Sequence, residues 1–197
     1  MRHPSVSTLA ATLTLVILGI GCDSTVKMRT SLRAGLDIDS DRLLPGLELA
    51  YVEDTFHTAA ALADARAHRL GTIARVELPG IEQAAGFGLR FRGYLRVPYD
   101  DVYLFELTSD DRSQLYLNEQ LVIDHDGYHG ASTKTGAVAL AKGHHRLRVL
   151  FFQAGGGRVL GLRVRRGDRP FAAVPDEWYY VDDSLVPGET LPLTDAP

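Results

Sequence analysis

An all-β fold is predicted by three observations: apolar residues alternate with period two, the alternating segments are short, and turn residues separate them at regular intervals. The clearest segment is 87–97. Phe87, Leu89, Phe91, Gly93, Leu95 and Val97 take one face, and Gly88, Arg90, Arg92, Tyr94 and Arg96 take the other. Three arginines on one face do not fit a dry core, so this strand is expected to be half exposed. Pro98-Tyr99-Asp100-Asp101 breaks the chain before Val102–Leu107. Gln114–Leu117 and Leu121–Ile123 flank Asn118-Glu119, a tight hairpin. Ala137–Leu140, Arg146–Phe152 and Val159–Val164 follow, separated by Gly143 and by Gly155-Gly156-Gly157. Upstream, Phe56, Ala60, Ala63, Ala67 and Leu70 fall on a helical stripe closed by Gly71, predicting one short helix near residues 55–70. Strand and helix do not alternate, which excludes a Rossmann-like fold and leaves an antiparallel β-sandwich or barrel.

Composition narrows the function classes. The chain has 197 residues, about one domain's worth, with 45% hydrophobic and 23% charged residues, the balance of a folded rather than a disordered chain. Its formal net charge of -4 disfavours a nucleic-acid partner. A single cysteine excludes an internal disulfide and a multi-cysteine zinc site.

The N-terminal segment is set apart from the fold. Arg2 and His3 precede an apolar run from Leu9 to Gly21, which is shorter than the about 20 residues of a membrane span and has the length of a signal-peptide core. Small Gly21 then precedes Cys22, which resembles a bacterial lipoprotein signal, although Gly19 stands three residues before the cysteine where that pattern usually has Leu, and Leu18 lies one place earlier. The expected organisation is a signal peptide over 1–21, a polar tether over 22–44, a β domain over 45–167, and an extension over 168–197. Trp178-Tyr179-Tyr180 in that extension is expected to pack back on the body before a frayed acidic end. The expected location is the cell envelope, with lipid attached at Cys22 anchoring an exported protein to a bacterial membrane.

Within the body, Gly93-Tyr94-Leu95-Arg96-Val97-Pro98, Tyr103-Leu104-Phe105 and Ser109-Asp110-Asp111-Arg112-Ser113-Gln114-Leu115-Tyr116-Leu117 occur in an informative order. Leu121–Asp124, Asp126-Gly127, His129-Gly130, Leu140–His144, Phe151-Phe152-Gln153, the glycine run and Leu160-Gly161-Leu162 continue it. Over roughly residues 46–166 the chain resembles the PA-fourteen domain, the protective-antigen-type β module. The resemblance implies an antiparallel barrel or sandwich of the kind found in toxins, glycosidases and fungal adhesins, often binding carbohydrate. In the adhesin branch two adjacent aspartates, joined by a cis peptide, hold a calcium ion that grips sugar hydroxyls. Asp110 and Asp111 stand at the matching positions. Ca²⁺ requires several hard oxygen ligands, which a carboxylate pair begins to supply. Asp101, Arg112 and Glu119 occupy positions where the family usually has glycine in turns of positive φ. Arg112 adjoins the pair, and its guanidinium competes with a metal for it.

These readings set the candidate site. Asp110, Asp111 and Asp126 are the ligand-binding candidates, with Asp110 and Asp111 the metal ligands; the competing reading has both carboxylates bracing the loop by accepting backbone N–H bonds. Asp124-His125-Asp126-Gly127-Tyr128-His129 reads as a solvated turn, and His144 and His145 as facing solvent. The Arg90/Arg92/Arg96 face suits either plain solvation or an acidic polymer. No serine sits in a Gly-x-Ser-x-Gly elbow, and the glycine run lacks the Lys-Ser/Thr of a phosphate loop. The expected function is a non-catalytic carbohydrate-binding module, assisted by calcium, for a glycan or cell-surface polymer. The alternative is an envelope scaffold binding a protein partner, with the aspartates structural. A hydrolase with paired acids ranks last.

Overall fold

The computed structural model describes residues 12–13 and 30–186. Cys22 and the acidic end expected to fray lie outside the described residues, as does nearly all of the 1–21 segment. A two-residue ladder joins β1 (Thr12–Leu13) to β2 (Thr30–Ser31). The body follows as β3 (Leu43–Pro45), β4 (Leu47–Glu53), β5 (Arg69–Ile73), β6 (Phe87–Val97), β7 (Asp101–Asp110) and β8 (Arg112–Leu117). Then come β9 (Gln120–His125), β10 (Ser132–Leu140), β11 (Gly143–Gln153), β12 (Val159–Arg166), β13 (Ala172–Ala173) and β14 (Tyr179–Asp182). The larger sheet runs β3-β14-β6-β11-β8-β9, with β4 also against β6 and β5 outside β4; the smaller runs β10-β7-β12-β13.

Period-two alternation places the core between these sheets. Phe87, Leu89, Phe91 and Leu95 on β6 and Val149 and Phe151 on β11 share one cluster with Tyr103, Phe105 and Leu107 on β7 and Leu160, Leu162 and Val164 on β12. The sheets make an antiparallel sandwich that does not close into a barrel. Trp178 meets Tyr103 edge-to-face with centroids 6.2 Å apart, and Tyr179 is buried where β14 pairs with β6.

A second, smaller cluster lies on the outer side of the large sheet, where Phe56, Ala59 and Leu62 cover Leu150 and Phe152. The apolar side of the 55–70 stretch therefore does face the body, but only Ala59–Leu62 is helical, as a single 3₁₀ turn capped by the Thr58 hydroxyl accepting from Ala61 N–H. Its far end is β5, in register with β4 through Leu49↔Gly71 and Tyr51↔Arg69. Long-range pairing overrides a helical stripe built mainly of alanine. The turn also buries Arg90, whose Nη1 donates to the carbonyls of Leu62, Ala63 and Ala65 at 3.1, 2.9 and 2.9 Å. Arg90 is thus taken out of the half-exposed arginine face, leaving Arg92 and Arg96 on it.

The hairpin between β8 and β9 turns through Asn118 (φ 48) and Glu119 (φ 63), the two left-handed residues of a type I′ turn. Of the three positions where glycine is usual, only Glu119 adopts positive φ; Asp101 and Arg112 sit in strands. His145 is fully buried rather than solvent-facing, with its ring nitrogens against Ala141 O (2.8 Å) and Asn118 Nδ2 (2.9 Å). Gly93 is required for the docking of β14, because a Cβ there would strike the Tyr180 carbonyl and come within 2.7 Å of Leu47 Cδ2. Gly93→Ala is expected to cost about 2 kcal/mol by forcing β14 off β6. Urea denaturation checks this, and an unchanged midpoint would contradict it.

Candidate functional site

β7 ends on Asp110 and β8 begins at Arg112, so the two aspartates sit at the corner where the chain passes from the small sheet to the large one. The Asp110–Asp111 peptide bond is cis. The two side chains differ in what holds them. Asp111 Oδ2 accepts from Ala154 N–H (2.9 Å) and Gly155 N–H (3.2 Å), clamping the loop between β11 and β12. Among the described residues no donor reaches the Asp110 carboxylate. It lies against Gly157, where a Cβ would come within 2.8 Å of Asp110 Oδ2. The brace reading therefore describes Asp111 and not Asp110.

Arg112 does not turn to the pair. Its Nη1 donates to Asp126 Oδ1 at 2.9 Å, and its guanidinium stacks 4.1 Å over the exposed ring of Tyr128. Burial opposes its charge, but Asp126 and Tyr128 outweigh burial and raise its pKa above the ordinary arginine value. Asp126 Oδ1 also accepts from Ala59 N–H (3.2 Å) and Gly127 N–H (2.9 Å), tying the 3₁₀ turn to the β9–β10 loop. The corner thus carries the Asp110 carboxylate, an Asp111 carboxylate clamped through Oδ2, and next in the chain the Arg112 guanidinium stacked on Tyr128. Among the described residues no three aspartate, glutamate, histidine or cysteine side chains converge to enclose a cation.

The model of the PA14 domain matches residues 44–172. The chain belongs to the PA14 domain family. Solved structures agree on the fold. The PA14 sugar-binding domain from an RTX adhesin matches with a TM-score of 0.59 and 16% identity, over 71% of this chain and 98% of that one. The Epithelial Adhesin 9 A domain from Candida glabrata, in complex with Galβ1-3GlcNAc, matches with a TM-score of 0.60 and 9% identity, over 77% and 96%. An anti-sigma factor domain-containing protein from Clostridium clariflavum matches with a TM-score of 0.57 and 22% identity, over 69% and 47%. The chain spans about half the length of the anti-sigma factor domain-containing proteins it resembles. No curated protein sequence matches it.

The PA14 domain supports its site loop with a buried polar network that residue spacing did not reveal. The 124–129 segment is only partly a solvated turn, because His125 closes β9 and is buried. Its ring contacts Ser109 Oγ through Nδ1 (3.3 Å) and Ser132 Oγ through Nε2 (3.1 Å), and stacks on His129 with centroids 4.0 Å apart. Ser109 in turn bonds Ser113 at 2.7 Å. Desolvation, then the neighbouring His129 and Lys134, depress the His125 pKa to about 4. The only signal in the sequence was the density of histidine around Asp126. The Arg112–Asp126 pair, which joins residues 14 apart, had none.

Proposed function

We propose that this PA14 domain is a non-catalytic glycan-binding module whose site is the Asp110–Asp111 corner, with Ca²⁺ as the ion the pair holds. The observation that carries the reading is the Asp110 carboxylate, which no described donor engages although Arg112 stands two residues away and is committed to Asp126. A carboxylate pair with free oxygens begins the donor set of a divalent cation. Asp110 and Asp111 Oδ1 would hold it, and sugar hydroxyls would complete the six to eight oxygens Ca²⁺ takes. Tyr128 offers an exposed ring for the apolar face of a sugar, and Asp126 positions that ring through Arg112. The structural neighbours crystallised with Galβ1-3GlcNAc and β-lactose support a glycan ligand. The run from Leu9 to Cys22 supports an exported chain anchored by lipid at the cysteine. Fatty-acid labelling lost in Cys22→Ala tests that placement.

Calorimetric titration with Ca²⁺, alone and with lactose, tests the site. Asp110→Asn is expected to abolish the calcium heat and the lactose response while leaving the metal-free melting midpoint unchanged, since no donor among the described residues uses its carboxylate. Absence of calcium heat in the unsubstituted chain, or its persistence in Asp110→Asn, would overturn the reading.

A further inference from the structure

The outer face of the large sheet carries a second feature, away from the aspartate corner and beyond the patch covered by Phe56 and Leu62. Two rows of side chains cross it. In the first, cross-strand register places Glu48 beside Arg92, Arg92 beside Arg148, and Arg148 beside Tyr116. In the next, Tyr94 lies beside Arg146. Adjacent like charges on neighbouring strands repel, so this arrangement calls for counter-charge. The available carboxylates supply little of it. Glu48 is buried and bonds Arg92 through both Nε and Nη2 (3.0 and 2.7 Å). Glu119 stands off from Arg148 at 3.6 Å and is itself mostly exposed. Among the described residues no carboxylate pairs with Arg146, and Arg148 lies 4.4 Å over the Tyr116 ring. Between the rows is an open cleft of about 230 Å³, floored by the Gly93 and Leu147 backbone and walled by Leu185 and Glu119. In a chain of net charge -4 this is a local cationic site.

We infer that this cleft binds an acidic sugar, a single ring bearing an oxyanion. Guanidinium groups recognise carboxylate and phosphate through paired N–H donors, and Arg146 and Arg148 can present such donors to one oxyanion. The tyrosines flank the cleft where a sugar ring would sit. Its volume is below the about 300–1,000 Å³ of drug-sized clefts, which suits one ring or a chain terminus rather than a buried oligomer. The site is separate from the aspartate corner and requires no metal.

NMR titration of the arginine Nε–Hε resonances with glucuronic acid, glucose 6-phosphate and glucose tests the inference on the full chain. The two acidic sugars are expected to move Arg146 and Arg148, glucose to leave them in place, and the tighter of the acidic pair to name the oxyanion. Arg146→Ala, at an exposed residue with no ion pair among the described residues, is expected to weaken that binding roughly tenfold. Asp110→Asn is expected to leave it unchanged, which separates this site from the proposed glycan site. Equal shifts with glucose, no shifts with either acidic sugar, unaltered affinity in Arg146→Ala, or inorganic phosphate binding as tightly as glucose 6-phosphate would overturn it.

Discussion

Asp126→Ala is expected to destabilise the fold by about 3 kcal/mol, because it strips a nearly buried guanidinium of its counter-charge rather than removing a surface ion pair. The Arg112 side chain is only 10% exposed, so water replaces little of what Asp126 supplies. The same Oδ1 also satisfies Ala59 N–H and Gly127 N–H, so three donors lose one acceptor at once. Asp126→Asn keeps an acceptor oxygen and is expected to recover about half of the loss. Urea denaturation of the two variants separates charge from geometry, and a loss below about 0.5 kcal/mol in Asp126→Ala would show that the pair holds nothing in place. The damage should also reach the site. Without Asp126, Arg112 and the Tyr128 ring it stacks on lose their fixed position, so under the proposed function sugar affinity should fall while the calcium proposed for Asp110 should still bind.

The fold class was legible because burial in a sandwich imposes a period of two that chain-local patterning reports directly. β6 shows this: each inner residue from Phe87 to Val97 is buried, in the alternation read from the residues. Its outer face was harder to read, since whether Arg90 meets water depends on a 3₁₀ turn 28 residues upstream laying carbonyls over it. The 55–70 stretch failed for a related reason. Alanine at helical spacing is a local preference of a few tenths of a kcal/mol per residue, and pairing of β5 with β4 outweighs it. Asp110 and Asp111 were found through order of motifs along the chain, but their unequal bonding was not, because the donors at Ala154 and Gly155 lie more than 40 residues away. His125 and His145 were read as solvated because histidine carries no burial signal of its own. Serine, asparagine and backbone partners from neighbouring strands and turns make their burial tolerable.

That buried imidazole should make the domain acid-sensitive. His125 titrates near 4 in the fold against an ordinary value of 6.5. Between those values the unfolded chain binds a proton that the folded chain excludes, so stability falls as pH drops through this window and falls no further on this account below it. The full shift corresponds to at most about 3 kcal/mol, and screening by nearby solvent reduces it. Desolvation is the main cause, and the stacked His129 and nearby Lys134 add to it while Asp124 opposes. His144 and His145, whose pKa values burial also lowers, act with the same sign, so wild-type stability alone does not isolate His125. His125→Gln does, since glutamine can still bond Ser109 or Ser132 without titrating. Denaturation at pH 7 and pH 4 is expected to show the variant losing about 1–3 kcal/mol less than the unsubstituted domain over that interval. Equal losses would mean that His125 is solvated or already protonated in the fold. Because its ring holds the strand that leads into Asp126 and Tyr128, the same protonation should loosen the Arg112–Tyr128 stack before the core gives way, and sugar affinity should decline at a higher pH than the unfolding transition.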